Sequence, residues 1–293
     1  LTPDWFGYSV LRNSVHSDLY HQILEMAEQM DFPIEGLHTE TGPGVLEAAI
    51  SVDTAENAAD KAALFKTFMK VLAQKNGLMA TFMAKWSKDY PGQSGHIHIS
   101  LRQHDKSNAA SKSAFYDPKQ KHNISAIQRQ FIAGQQRLMP EFLSMIAPTV
   151  NSYTRLVPGF WAPTDATWGV ENRTTALRVI PGSEQSQRVE YRLGSADGNP
   201  YLALAAALAS GLYGIEHKLE PEPQVVGNAY EQSHPAHLKL PTSLWESAQR
   251  LKASKAGRLL FGDAFVDHFS MTREWEGREF RKHISDWEMD RYF

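Results

Sequence analysis

Gly95-His96-Ile97-His98-Ile99-Ser100-Leu101 is the stretch from which the rest of the chain is read. A strand alternates its side chains with period two, so His96, His98 and Ser100 share one face and Ile97, Ile99 and Leu101 the other. The apolar face can pack into a core, which leaves an imidazole–imidazole–hydroxyl row pointing at something polar. Three such groups in register suit a metal, a phosphate or both. The plainer alternative is a half-exposed strand that happens to carry histidine.

The 293 residues are 42% hydrophobic and 22% charged, a globular composition that argues against disorder. The length allows one large domain or two ordinary ones. A net charge of −3 is too small to make nucleic acid or a membrane surface the main partner. With no cysteine, thiolate metal sites, thiol nucleophiles and disulfides are excluded. No apolar run approaches the roughly 18 residues that span a bilayer. No secretory signal is visible either, so a soluble cytoplasmic protein is expected.

Outward from the histidines, helical spacing covers residues 16–30, 55–74 and 124–146. Strands are expected at 45–52, 79–82, 95–101, 176–180 and 188–193. Residues 103–122 read as a flexible loop, 150–175 as irregular, and 220–241 as a Pro-rich loop. A helix over 201–217 is apolar nearly all round and therefore expected to be buried. Residues 244–293 look helical in pieces. No repeat, domain boundary, βαβ rhythm or Gly-rich nucleotide loop is visible, so the class is α+β.

Three further groups carry chemistry. In His38-Thr39-Glu40-Thr41-Gly42-Pro43-Gly44-Val45-Leu46-Glu47, a turn at Gly42-Pro43-Gly44 would bring Glu40 and Glu47 together. Converged carboxylates require a cation between them, or one must hold a proton. In Arg188-Val189-Glu190-Tyr191-Arg192 the period of two lines up Arg188, Glu190 and Arg192. That row is either a solvated ladder or a metal ligand flanked by anion-holding cations. Arg155, Arg173 and Arg178 lie in or beside the irregular stretch, where they either grip an anion or form structural ion pairs. Carboxylates with one or two imidazoles suit Mg²⁺ or Mn²⁺ better than a closed zinc site. From the residues alone, the chain is a metal-dependent enzyme that handles phosphates or carboxylates.

In their order these segments resemble the glutamine synthetase family. The segments are 38–47, 95–101, Asn151-Ser-Tyr-Thr-Arg155-Leu-Val-Pro-Gly159, Glu171-Asn-Arg173 with Arg178, and Arg188-Val-Glu190-Tyr-Arg192 followed by Asn199-Pro-Tyr-Leu202. The resemblance implies one catalytic domain over 1–293, with an antiparallel sheet forming an open half-barrel and helices packed outside. It implies an ATP-dependent ligase that joins the glutamate γ-carboxylate to an amine through γ-glutamyl phosphate. Glu40 and Glu47 would ligate one Mg²⁺ or Mn²⁺, and His96 with Glu190 another. His98 and Ser100 would lie against the nucleotide. Arg155, Arg192 and Gly92 would hold glutamate, while Arg173, Arg178 and Arg188 would neutralise phosphate, with Arg173 and Arg192 acting in catalysis. Relatives form rings with sites between subunits, so a ring-shaped homo-oligomer is expected.

Two departures qualify this. The family's Glu-x-Glu strand upstream of the hairpin has no counterpart; Glu220-Pro-Glu222 lies in a Pro-rich loop at the wrong end. The small β-grasp domain that precedes it in relatives is likewise not seen, and the chain starts at Leu1. A fragment of a longer protein, inactive alone, is expected. The second departure is Trp161, which stands where ammonia-using members carry Glu. Indole cannot take a proton from ammonium, but its face can hold an alkylammonium. An alkylamine or polyamine is therefore the expected co-substrate, with ammonia the alternative and packing the plainer role for Trp161. A non-catalytic family member would show eroded ligands, whereas Glu40, Glu47, His96 and Glu190 all stand.

Overall fold

The computed structural model describes residues 4–5, 7–103, 111–159 and 161–293. In chain order the elements are α1 (Val10–Val15), α2 (Ser17–Gln29), β1 (Ile34–Thr39), β2 (Leu46–Ile50), α3 (Ala55–Lys75), β3 (Ile97–Ile99), α4 (Ala126–Ile146) and α5 (Val150–Arg155). There follow β4 (Trp168–Val170), β5 (Leu177–Ile180), β6 (Arg188–Tyr191), α6 (Pro200–Glu216), α7 (Leu244–Ala253), α8 (Lys255–Phe261), α9 (Asp263–Phe280) and α10 (Asp286–Tyr292). The α+β class holds, with an open rather than closed sheet.

The Gly-Pro-Gly turn does fold β1 back on β2. Gly44 sits at φ +71°, a conformation that glycine adopts without a Cβ clash. The Glu40 amide donates to the Val45 carbonyl at 2.8 Å, and His38 pairs opposite Glu47. A second sheet runs in the order β3-β6-β5-β4. β6 is antiparallel to both neighbours, as expected, and β4 adds one parallel pairing with β5. That pairing closes through a short loop that turns at Glu171 (φ +50°), whose amide donates to Val179.

Period two then sorts the sheet. Leu177, Val179, Val189 and Tyr191 face a core shared with Phe131, Leu138, Phe142 and Ile146 of α4. Arg178, Glu190 and Arg192 face the other way. α4 begins where Ser125 caps the Gln128 amide, and it packs most extensively on α6. The crossing is nearly backbone on backbone: a Cβ on Gly134 would lie 2.1 Å from the Ser210 carbonyl, and one on Gly214 would lie 2.1 Å from that of Gln130.

Several expectations are corrected. Residues 79–82 form no strand; Phe82 instead turns edge-on to Phe65 with centroids 6.0 Å apart, and no ladder partner is present among the described residues. β3 is shorter than 95–101, because its ladder with β6 spans three pairs and gives way to isolated bridges at Ser94 and Arg102. The irregular stretch 150–175 contains α5, opened by a Thr149–Ser152 capping box, and β4. α6 buries only a small-residue face (Ala203, Ala206, Ala207, Ser210, Gly211, Gly214), and Leu212 is 51% exposed. The segment 103–122 is anchored at both ends, with Gln103 bonded to Lys112 and a 3₁₀ turn at Lys121–Asn123. Residues 104–110, at the heart of the expected flexible loop, lie outside the described residues. The expected helical tail is α7 to α10. No helix among the described residues is long and apolar enough to cross a membrane.

The helix crossing yields a stability test. Gly134→Val is expected to lower unfolding free energy by at least about 3 kcal/mol, since backbone rather than a flexible side chain blocks the new Cβ. Gly36→Ala, whose Cβ would meet only Ala49 at 3.8 Å, is expected to stay within about 0.5 kcal/mol. Urea midpoints of the two variants check both.

Candidate functional site

The hairpin and the four-stranded sheet each present a carboxylate cluster. At the first, ligand atoms of His38, Glu40 and Glu47 all lie within 4.8 Å of one another. His38 Nε2 is 3.1 Å from Glu40 Oε1 and 3.8 Å from Glu47 Oε2. Tyr8 Oη donates to Glu40 Oε1 at 2.6 Å, and its ring stacks on His38 with centroids 5.0 Å apart. Burial alone would raise the Glu40 pKa, yet donors from Tyr8, His38 and the Thr41 amide hold it below the usual carboxylate value. Glu47 goes the other way, raised first by burial and then by the charge of Glu40. Two carboxylates pushed apart in this way are relieved by a cation. Their oxygens with one imidazole nitrogen form a donor set that fits Mg²⁺ or Mn²⁺.

At the second cluster Glu190 is 3% exposed and sits mid-sheet, with His98 opposite it on β3 and Arg178 opposite it on β5. Arg192 Nη1 donates to Glu190 Oε1 at 2.7 Å and Arg178 Nη1 to Oε2 at 3.2 Å. His96 Nδ1 lies 3.2 Å from Oε1 and His98 Nε2 lies 3.9 Å from it. Burial would raise the Glu190 pKa, but the His96 contact and the Arg192 charge outweigh it and hold the carboxylate ionised. Burial also lowers His96, and brings His98 down to about 4, so both rings are neutral near pH 7. A neutral His96 that donates from Nδ1 to Glu190 keeps its Nε2 lone pair for a cation. Glu190 itself is taken up by two guanidiniums in this arrangement. The charge of Glu190 adds a further upward push on the Glu47 pKa, so the two clusters lie within electrostatic reach of each other.

The arginines divide by environment. Arg155 ends α5, is 4% exposed, and donates from Nη2 to the Leu193 and Gly194 carbonyls at 2.7 and 3.1 Å. Gly92 packs on its stem, where a Cβ would fall 2.5 Å from Arg155 Cγ and 2.4 Å from the Ala84 carbonyl. Arg178 is also clamped by Glu171, a partner that sequence reasoning missed. Arg188 Nε donates to His98 Nδ1 at 3.0 Å. Arg173 is close enough to Tyr8 for its charge to be felt there. It also lines an open cavity of about 440 Å³ with Trp161, Val170, Glu171, Val225 and Val226. Trp161 stands there at φ +57° with 60% of its surface exposed.

The structure thus brings together Glu40 with Glu47, His96 and His98 with Glu190, and Arg178, Arg188 and Arg192 around them. Ser100 is exposed beyond the end of β3, outside this network. His38 was missed although period two places it on the face of Glu40, and its register partner is Glu47. Tyr8, 32 residues from Glu40, leaves no local signal. The hairpin cluster predicts a measurable site: Mn²⁺ titrated calorimetrically should bind, and Glu47→Gln should weaken it at least tenfold, as should His38→Ala. Unchanged affinity in both variants would contradict the assignment.

Comparison with known proteins gives a family model described as glutamine synthetase, catalytic domain, matching residues 4–292. The chain is 46% identical over 294 residues to a type-1 glutamine synthetase 2 of Dictyostelium discoideum, covering all of this chain and 55% of that protein. It is 38% identical over 285 residues to a glutamate–isopropylamine ligase of a Pseudomonas species, covering 97% and 61%. Among solved structures, a GmaS/ADP complex superposes with a TM-score of 0.88 at 28% identity, covering 99% of this chain and 67% of that one. The chain therefore spans somewhat more than half the length of these curated relatives.

Proposed function

Because the chain belongs to the glutamine synthetase catalytic-domain family, we propose that it is the catalytic part of an ATP-dependent ligase. The reaction joins the γ-carboxylate of glutamate to an amine. A γ-carboxylate oxygen attacks the γ-phosphorus of ATP, ADP leaves, and the amine nitrogen then attacks the carbonyl carbon of γ-glutamyl phosphate and expels phosphate. The observation that supports this reading is the pair of carboxylate–imidazole clusters, one on the β1–β2 hairpin and one on β6, the second held by Arg178 and Arg192 and within electrostatic reach of the first.

In this reading Glu40 and Glu47, with His38, would hold one Mg²⁺ or Mn²⁺, and His96 with Glu190, a carboxylate shared with Arg178 and Arg192, would hold another. Such ions supply charge neutralisation to the phosphate oxygens. Arg155 and Arg192 hold glutamate, with Gly92 giving the room that Arg155 occupies. Arg173, Arg178 and Arg188 neutralise charge developing on the transferred phosphoryl group. His98 and Ser100 border the nucleotide. The full-length protein is a ring-shaped homo-oligomer in this proposal.

The amine is larger than ammonia. Trp161 presents an exposed indole to a cavity with valine walls, which suits an alkylammonium by cation–π and apolar contact. The relative named a glutamate–isopropylamine ligase supports this direction. Glutamine formation from ammonia is the second reading, favoured by the name of the 46% identical relative. Phosphate release by the full-length enzyme with glutamate, ATP and a panel of ammonia, methylamine, isopropylamine, ethanolamine and putrescine separates them. An alkylamine is expected to exceed ammonia at least tenfold in kcat/KM, with Trp161→Glu shifting preference back toward ammonia. A strong ammonia preference in the wild type would favour the second reading. Gly92→Ala is expected to raise the KM for glutamate about tenfold by displacing the Arg155 stem.

A further inference from the structure

Three buried polar atoms near the arginine pair have no hydrogen-bond partner: Arg155 Nε, Arg192 Nε and Tyr230 Oη. Buried donors are normally satisfied, so a group of orphans around one place marks a missing ligand more readily than a packing fault. Tyr230 lies in a short 3₁₀ turn, Ala229–Glu231, far in sequence from either arginine. Its ring is half-buried while its hydroxyl is wholly buried, so the polar tip points inward. The phenol lies within electrostatic reach of both guanidiniums, and both fields oppose the upward pull of burial on its pKa.

The turn is fixed from two directions. The Thr174 hydroxyl accepts from the Ala229 amide at 2.9 Å, and Asn172 Nδ2 donates to the Gly227 carbonyl at 2.8 Å. From its own side, Asn228 Oδ1 caps the Tyr230 amide at 3.1 Å, and His234 lies 2.9 Å from the Ala229 carbonyl. Tyr230 is therefore locked to the loop that carries Arg173. Nearby Glu190 is committed to Arg178 and Arg192, and Asp197 Oδ2 accepts from the hydroxyls of Thr149 and Ser152, while Asp197 Oδ1 is buried without a partner. Two guanidiniums and a neutral O–H, each with a buried donor left unmet, suit an anion that accepts several hydrogen bonds. A carboxylate fits that description.

We propose that the Tyr230 hydroxyl is a third anchor for the substrate carboxylate, donating to it beside Arg155 and Arg192. Tyr230 acts by direct contact with substrate and fixes its orientation. The proposal rests on the ligase reading for the identity of that substrate.

Tyr230→Phe removes the hydroxyl and keeps the ring, so the fold should survive. In the full-length enzyme the variant is expected to raise the KM for glutamate about tenfold. The KM for ATP and the melting temperature should remain those of the wild type. A merely structural role would instead lower the melting temperature and change both constants together, which would overturn the proposal. An unchanged KM for glutamate in an enzyme that uses glutamate would overturn it alone. Failure of the wild type to bind glutamate at all, by calorimetry, would overturn the ligase reading and this inference with it.

Discussion

A carboxylate buried in the middle of a sheet must be compensated or it will take a proton or unfold its surroundings. Glu190 meets that constraint with a neighbour on each flanking strand and one on its own. Arg178 lies opposite it on β5, His98 opposite it on β3, and Arg192 two residues along on β6. A one-residue slip of β6 would turn Glu190 and Arg192 together to the apolar face, away from Arg178 on β5. The ion cluster therefore specifies the pairing β3-β6-β5, and the same pairing puts Val179, Val189 and Tyr191 into the core against α4.

That arrangement also explains why the site is cation-rich around a single acid. Arg178 is shared with Glu171, Arg188 with His98, and Arg155 with backbone carbonyls at the end of β6. Each guanidinium is held by a fixed partner before any substrate arrives, which lowers the cost of ordering it later. The hairpin cluster is different. It sets two carboxylates on one imidazole, with Arg173 within electrostatic reach of the neighbouring Tyr8. One cluster is neutralised by the protein's own guanidiniums, and in the proposed ligase the other would take a divalent cation.

Much of this was legible in the chain because period two is a strong rule over short distances. It sorted His96 and His98 from Ile97 and Ile99, and Glu190 from Val189 and Tyr191, before any fold was known. The Gly-Pro-Gly turn announced the meeting of Glu40 and Glu47 for the same local reason. What stayed hidden depends on tertiary pairing. β4 exists because β5 lies beside it, whereas residues 79–82 have no ladder partner among the described residues. α5 owes its start to Thr149 and Ser152, small residues easily read as loop. Tyr8 meets Glu40 from 32 residues away, and no spacing rule reaches it.

In the proposed ligase, Glu190 would become a shared metal ligand beside the arginines that now hold it, and the hairpin would take a second ion. The direct measurement is an anomalous difference map from crystals of the full-length protein grown with Mn²⁺ and a non-hydrolysable ATP analogue. The account expects one peak among His38, Glu40 and Glu47 and another at His96 and Glu190, with Arg178 or Arg192 drawn back from the carboxylate. A map with nucleotide bound, no peak at either cluster, and both arginines still on Glu190 would contradict it.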